Sequence, residues 1–272
     1  MAKLKVKSFL SWSGGKFRLL AEILPIVPAS FRRYYEPFLG GGAVALEIGD
    51  RAQEMILSDK NSCLINAWEA VRDEPDRITD LLYRHKHQHD RGSEHFYSQK
   101  KLYNLNRGTG LEAAARFIYL NKSCFNGVWR CNKDGQLTIT IGDHFTVPNV
   151  KAASTVVAGA AINHCEFDNI STAGDGDLIY LDPPYYSPDR LVESGYGIGK
   201  FTEHDRARMV TLAVQAGRRG ATIIGSDLGT PYTRALYTRA GFIIDSFDYT
   251  YCVGGKANRR FISSELIYHN IL

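Results

Sequence analysis

The residues of this 272-residue chain best suited to chemistry stand together at Asp182-Pro183-Pro184-Tyr185. They follow directly on Leu178 to Leu181, an apolar run that reads as a buried strand, so they fall at its carboxyl end. Two prolines fix φ and remove two N–H donors, which leaves the local carbonyls and the Asp182 carboxylate presented outward. Tyr185 adds a flat face. An exocyclic amine on a flat heterocycle suits this arrangement. Its two N–H groups can donate to Asp182 Oδ and to the Pro183 carbonyl, turning the nitrogen lone pair toward an electrophile while the ring stacks on Tyr185.

A second constellation lies nearer the start. Gly40, Gly42 and Ala45 meet the pattern G-x-G-x-x-A straight after a strand, and Asp59 closes the next strand, where a ribose-binding carboxylate belongs. That pattern alone would serve a nicotinamide dinucleotide as well as S-adenosylmethionine. Glu36 favours the latter, because a carboxylate just before the turn repels a pyrophosphate but suits a sulfonium or amino group. Ser13-Gly14-Gly15-Lys16, with Trp12 in front, frees the backbone and places a lysine at a helix start, able to meet a carboxylate. It does not satisfy the Walker pattern G-x-x-x-x-G-K-[ST].

These residues need a frame that brings strand ends together. The sequence predicts a helix over Lys16 to Leu24 with Phe17, Leu20, Ile23 and Leu24 on one face, stopped by Pro25. Strands follow at Arg33 to Pro37 and Met55 to Ser58, with a helix starting in Ala43 to Ile48 between them. From Asn61 to Asn121 the pattern turns helical, with helices near Ile65 to Val71, Arg77 to His87, Phe96 to Leu105 and Leu111 to Asn121. Strand signals resume at Ala161 to Glu166, Leu178 to Leu181, Thr222 to Gly225, Phe242 to Tyr249 and Ser264 to Tyr268. A helix over Glu203 to Gly217 is capped by Thr202 and Asp205. Gly254-Gly255 with Lys256, Arg259 and Arg260 reads as a basic turn between the last two strands. The expected fold is α/β, a doubly wound Rossmann-like sheet, with residues 1–60 and 160–272 forming one domain and 61–159 an inserted, mainly helical subdomain.

Composition narrows the class. At 44% hydrophobic residues the chain can bury a proper core. Between Lys60 and Cys165 there are 14 basic and 10 acidic residues, against 19 of each elsewhere, so the middle of the chain carries the whole net charge of +4. A basic module set in a neutral one fits nucleic-acid binding. Cys63, Cys124, Cys131, Cys165 and Cys252 stand singly, which argues against a zinc site or disulfide framework and for a reducing, cytoplasmic compartment. The first apolar run is too short for a signal peptide or membrane span. His85, His87 and His89 alternate with Arg84, Lys86 and Arg91, and are expected on a solvated or phosphate-facing helix; no neighbouring carboxylate or cysteine completes a metal set.

Taken together, Phe9 to Lys16, Glu36-Pro37-Phe38 with the glycines, Asp59, Phe117 to Asn132 and Asp182 to Tyr185 resemble the Dam-type (D12 class, alpha-group) DNA N6-adenine methyltransferase family, over nearly the whole chain. The resemblance implies an S-adenosylmethionine-dependent methyltransferase sheet whose cofactor pocket is formed by Trp12, Gly14, Lys16, Glu36, Phe38, Gly40, Gly42, Asp59, Phe167 and Asp168. Asp182 would border both ligands and, with Pro183, Pro184 and Tyr185, carry catalysis. It also implies a target-recognition insert that reads double-stranded DNA through Phe125, Asn126 and Arg130, with Arg116, Lys122, Arg259 and Arg260 as further DNA-binding candidates. A bacterial or phage-encoded cytoplasmic enzyme, monomeric or weakly dimeric, with no metal and no membrane, is expected. Val128, Trp129, Cys131, Thr140 and His144 depart from the family pattern, which leaves GATC as one recognition sequence among others.

The implied reaction is site-specific transfer of the sulfonium methyl to N6 of an adenine flipped out of the duplex, at an unstacking cost of roughly a few kcal/mol. A cytosine C5 mechanism would need a nucleophilic cysteine after proline, and no cysteine here follows one. Methylation of RNA adenine or of a protein amide would use the same pocket and stays open. An oxidoreductase would conflict with Glu36, and a catalytically silent DNA-binding protein with the intact Asp182, Pro183 and Tyr185.

Overall fold

A computed structural model describes residues 6–12, 14–185, 201–252 and 260–271. Seven strands form one sheet: β1 Phe31–Glu36, β2 Ala52–Asp59, β3 Ala161–His164, β4 Leu178–Leu181, β5 Thr222–Leu228, β6 Ile243–Cys252 and β7 Arg260–His269. Their spatial order is β3-β2-β1-β4-β5-β7-β6. The first five run parallel, and β7 lies antiparallel to both β5 and β6. Strand order reverses between β1 and β4, so the crevice for a ligand opens outside their carboxyl ends.

Side chains alternate across the sheet, as the two-residue period of a strand requires. Tyr34, Leu178, Tyr180 and Ile267 pack into one core; Tyr35, Ile179, Leu181 and Leu266 into the other. The second core is covered by α8 Glu203–Arg218 and α9 Pro231–Arg239, through Met209, Ala213 and Tyr237. The first is covered by α1 Leu20–Ile23, α2 Ala45–Ile48 and five helices between β2 and β3: α3 Ser62–Asp73, α4 Pro75–His89, α5 Glu94–Leu105, α6 Leu111–Ser123 and α7 Val150–Val157. Trp68, Phe96, Phe117 and Trp129 of this helical block belong to the same continuous core as Tyr34 and Leu57 of the sheet. Asn61 starts α3 by accepting from the N–H groups of Cys63 and Leu64, which turns the chain off the sheet right after Asp59.

Strand β4 and the capping box of Thr202 with Asp205 lie where the sequence places them. The helix expected over Lys16 to Leu24 breaks into a 3₁₀ turn at Lys16–Arg18, the short α1, and a second 3₁₀ turn at Leu24–Ile26 that contains Pro25. Phe17 is consequently 49% exposed, off the buried face of Leu20 and Ile23. Periodicity missed α7, whose β-branched residues read poorly as helix, and α9, whose apolar face is narrow. His87 is exposed as expected, but His85 and His89 need a correction. His85 is buried and stacks on Tyr119, its Nδ1 2.9 Å from His95 Nε2, and His89 Nδ1 lies 3.0 Å from the Tyr119 hydroxyl, so neither faces solvent or phosphate. Burial lowers His85 to about 4. No helix among the described residues is long and apolar enough to cross a membrane.

Candidate active site

Glu36 ends β1, Asp59 ends β2 and Asp182 follows β4, so three carboxylates converge at the crevice of the sheet. They line one cavity of about 430 Å³ together with Trp12, Lys16, Phe38, Phe167 and Tyr185. Gly40 and Gly42 turn the chain with φ of +46° and +62°, a conformation open to glycine. A Cβ on Gly40 would lie 2.8 Å from the Trp12 ring, and one on Gly42 would lie 2.6 Å from Trp68. The Trp68 indole N–H donates to the Gly40 carbonyl at 3.0 Å, which locks the turn to α3.

The three acids differ in their surroundings. Asp59 accepts from the Gly40 N–H at 3.0 Å and the Asn61 N–H at 2.9 Å, yet burial still raises it to about 6. Glu36 accepts from the Tyr34 hydroxyl at 2.7 Å, and no basic side chain among the described residues pairs with it. Burial therefore raises it to about 8. Asp182 is also pushed up by burial, but Lys16 opposes the shift, with Nζ 2.7 Å from Oδ1. The Ser226 hydroxyl donates to the same oxygen at 3.2 Å. Lys16, only 5% exposed, donates as well to the Gly14 carbonyl at 2.7 Å and sits 4.6 Å from the centre of the Tyr185 ring. The lysine, expected to be placed for a carboxylate of the donor, is here paired within the protein with Asp182.

Phe38, Phe167 and Phe201 form one aromatic wall, with ring centres 5.5 to 5.9 Å apart. Asp168, expected beside Phe167 in the pocket, points elsewhere: it pairs with Arg208 at 2.7 Å and does not line the cavity. The same arginine holds Glu166 at 2.7 Å, and Glu166 pairs with Lys60 at 2.8 Å, tying the ends of β2 and β3 to α8. Ion pairing draws Asp168 to the rim, an effect its place after a strand did not reveal.

At the mouth, residues 124–142 fold back on themselves through bridges of Cys124 with Ile141 and of Cys131 with Leu137. Trp129 anchors this loop against Phe117 and Tyr103, while Phe125 is 54% exposed and Asn126 adopts a φ of +54°. Arg130 is exposed and reaches the cavity lining. Arg116 and Lys122 are engaged within the protein, donating to Gln99 Oε1 and Ser11 Oγ at 3.1 Å each. Arg259 and the side chain of Arg260 lie outside the described residues, as does the expected turn around Gly254-Gly255. Among the described residues no group of His, Cys, Asp or Glu could hold a metal ion.

The family model of the D12 class N6 adenine-specific DNA methyltransferases matches residues 12–249. The chain belongs to this class. It is 31% identical over 268 residues to the DNA N-6-adenine-methyltransferase of Escherichia phage P1, covering 96% of this chain but 35% of that protein. This D12-class chain therefore spans about a third of the length of that relative. It is 27% identical to the type II methyltransferase M1.LlaDCHI of Lactococcus lactis subsp. cremoris, over 98% of this chain and 96% of the other. With the DNA adenine methylase of Escherichia coli K12 it shares 28% identity, over 87% of this chain and 86% of that one.

For a D12-class chain, sequence reasoning missed Tyr180, Phe201 and Ser226 at the site. Phe201 and Tyr180 line the cavity, and Ser226 braces Asp182. Ser226 carried a usable signal, since it follows the expected strand Thr222 to Gly225 directly and the site lies at strand ends. Phe201 carried none: its ring reaches the cavity only because α8 packs beneath the sheet.

Proposed function

We propose that the chain transfers the methyl group of S-adenosylmethionine to N6 of an adenine flipped out of double-stranded DNA, in the cytoplasm of a bacterium or phage-infected cell, as a monomer or weak dimer. The observation that carries this reading is that one cavity holds both an amine acceptor, Asp182 with Pro183, and a buried carboxylate without a basic partner among the described residues, Glu36. A buried carboxyl of this kind ionises when a cation is brought beside it, and the donor is cationic in both its sulfonium and its amino group. Asp59 and the Gly40 to Gly42 turn fit its ribose, and the wall of Phe38, Phe167 and Phe201 fits its adenine. When bound, the donor supplies an electrophilic methyl group.

The protein's own contribution is positional and electrostatic. Asp182 and the Pro183 carbonyl accept the two N6–H bonds, and Tyr185 carries the ring face. Lys16 occupies Asp182 Oδ1 in the structure, so the incoming amine takes over that oxygen or uses Oδ2. Either way the lysine favours the charged form of Asp182 against the burial that pushes it up, and the charged form is the stronger acceptor. We infer that residues 61–159 act as the target-recognition unit, with Phe125, Asn126 and Arg130 at the cavity mouth closest to the bases, and residues 1–60 and 160–272 as the catalytic unit. Labelled S-adenosylmethionine incubated with unmethylated duplex DNA, followed by nucleoside analysis and mapping of modified sites, should give N6-methyladenine in one short motif. Label in RNA or protein instead would overturn the substrate and keep the pocket.

A further inference from the structure

The Asp182 to Tyr185 segment leaves β4 with prolines at two positions, so it lacks the N–H groups that normally pin a strand end. Two buried side chains hold it instead. On one side the Arg206 guanidinium of α8 donates through Nη2 to the Pro184 carbonyl at 2.7 Å. Arg206 is wholly buried and is itself held by Asp227 and by the Tyr237 hydroxyl, which also donates to Asp227 at 2.7 Å. The Leu228 N–H donates to the other oxygen of Asp227 at 2.8 Å, so the donor is anchored to the end of β5. On the other side the Tyr185 hydroxyl donates to Glu265 Oε2 at 2.5 Å, and Glu265 is 3% exposed on β7, in register with Leu228 and Phe247.

We propose that Arg206 and Glu265 are positioning residues for transfer to the amine: Arg206 takes up the Pro184 carbonyl so that only the Pro183 carbonyl is left for N6, and Glu265 fixes the plane of the Tyr185 ring. This rests on the adenine-methylation reading above. A buried ion pair adds little net stability over apolar side chains of the same volume. What the Arg206 and Asp227 pair supplies is a donor in one place. The Tyr185 ring would otherwise turn about χ2, and a base stacked on it would tilt N6 away from its two acceptors.

The test is single-turnover methyl transfer from labelled S-adenosylmethionine to unmethylated duplex DNA, read beside the equilibrium Kd for that cofactor and thermal melting. E265L and Y185F should each slow transfer by roughly tenfold or more while the cofactor Kd stays within about twofold, a loss of the size that small misplacements produce. E265Q keeps an acceptor oxygen and should recover most of the rate. In a Y185F background E265L should have no further effect. R206M/D227N removes both buried charges and the donor together, and should show the same decline with Kd unmoved. Transfer within about twofold of the parent in Y185F and R206M/D227N, or additive losses in Y185F/E265L, would overturn the assignment. If E265L fails to melt cooperatively, Y185F removes the same contact without touching a buried charge and decides alone. No transfer by the unsubstituted chain would sink the adenine reading and this inference with it, whereas a working parent with unaffected variants removes only the inference.

Discussion

The strand-end cluster and the loop at residues 124–142 face the same cavity yet are built on opposite terms. Asp182 sits among Lys16, Ser226 and the braced tetrapeptide, and Asp59 has two backbone donors, so each group there is held by several others. The loop has a few buried anchors, Trp129, Leu137 and Ile139, and then leaves Phe125, Asn126, Val128 and Arg130 exposed. Chemistry needs groups fixed before the substrate arrives. Reading a polymer, the role proposed for the loop, needs side chains that are free to meet it, and an exposed Asn126 with a positive φ beside an exposed aromatic suits that proposal.

The contrast can be broken most sharply at Asp182. Asp182→Ala should lower the single-turnover rate by at least about 10² while DNA affinity stays close to the parent's, because an acceptor is lost from the fixed side only. Retention of transfer would show that the amine sits elsewhere. Trp129→Ala attacks the loop's anchor and should destabilise the fold by about 3–5 kcal/mol in denaturant titration, the usual loss for an emptied aromatic site. A change under 1 kcal/mol would mean that the loop is held by other contacts.

Glu36 sharpens the comparison through pH. With its pKa raised to about 8, the folded chain without cofactor keeps a proton that the unfolded chain loses near its ordinary value of about 4.5. Stability therefore falls as pH rises across that window. Denaturant melts should show this slope, and Glu36→Gln should flatten it. A bound cation would bring Glu36 back toward its ordinary range, so calorimetry at pH 7 in buffers of differing ionisation enthalpy should register proton release on S-adenosylmethionine binding. In Glu36→Gln that release should shrink, and affinity should drop by roughly tenfold or more. Equal proton counts for parent and variant would remove Glu36 from the cofactor site. The smallest effect is expected at Phe125→Ala, with stability changed by no more than about 0.5 kcal/mol because the ring is already exposed. DNA affinity should weaken; unchanged affinity would take Phe125 out of the interface.

Much of the site was legible because strand ends declare themselves. An apolar run followed by Asp182-Pro183-Pro184-Tyr185, or by Asp59, places the polar residue at the carboxyl end of a strand whatever the rest of the chain does, and the positive φ of Gly40 and Gly42 could be anticipated from residue type. The partners of those residues were not legible. Lys16 and Asp182 are 166 positions apart in sequence and 2.7 Å apart in space, and Tyr185 meets Glu265 only because β7 turns antiparallel beside β5. Asp168 looked like a pocket residue until Arg208 of α8 drew it to the rim, and His85 and His89 of α4 looked solvated until α6 brought Tyr119 against them. Local sequence determined which groups stand at the carboxyl ends of the strands, through periodicity and turn chemistry acting over a few residues. Which of them are paired, buried or shifted in pKa was decided by tertiary packing, because those properties depend on neighbours contributed by distant parts of the chain.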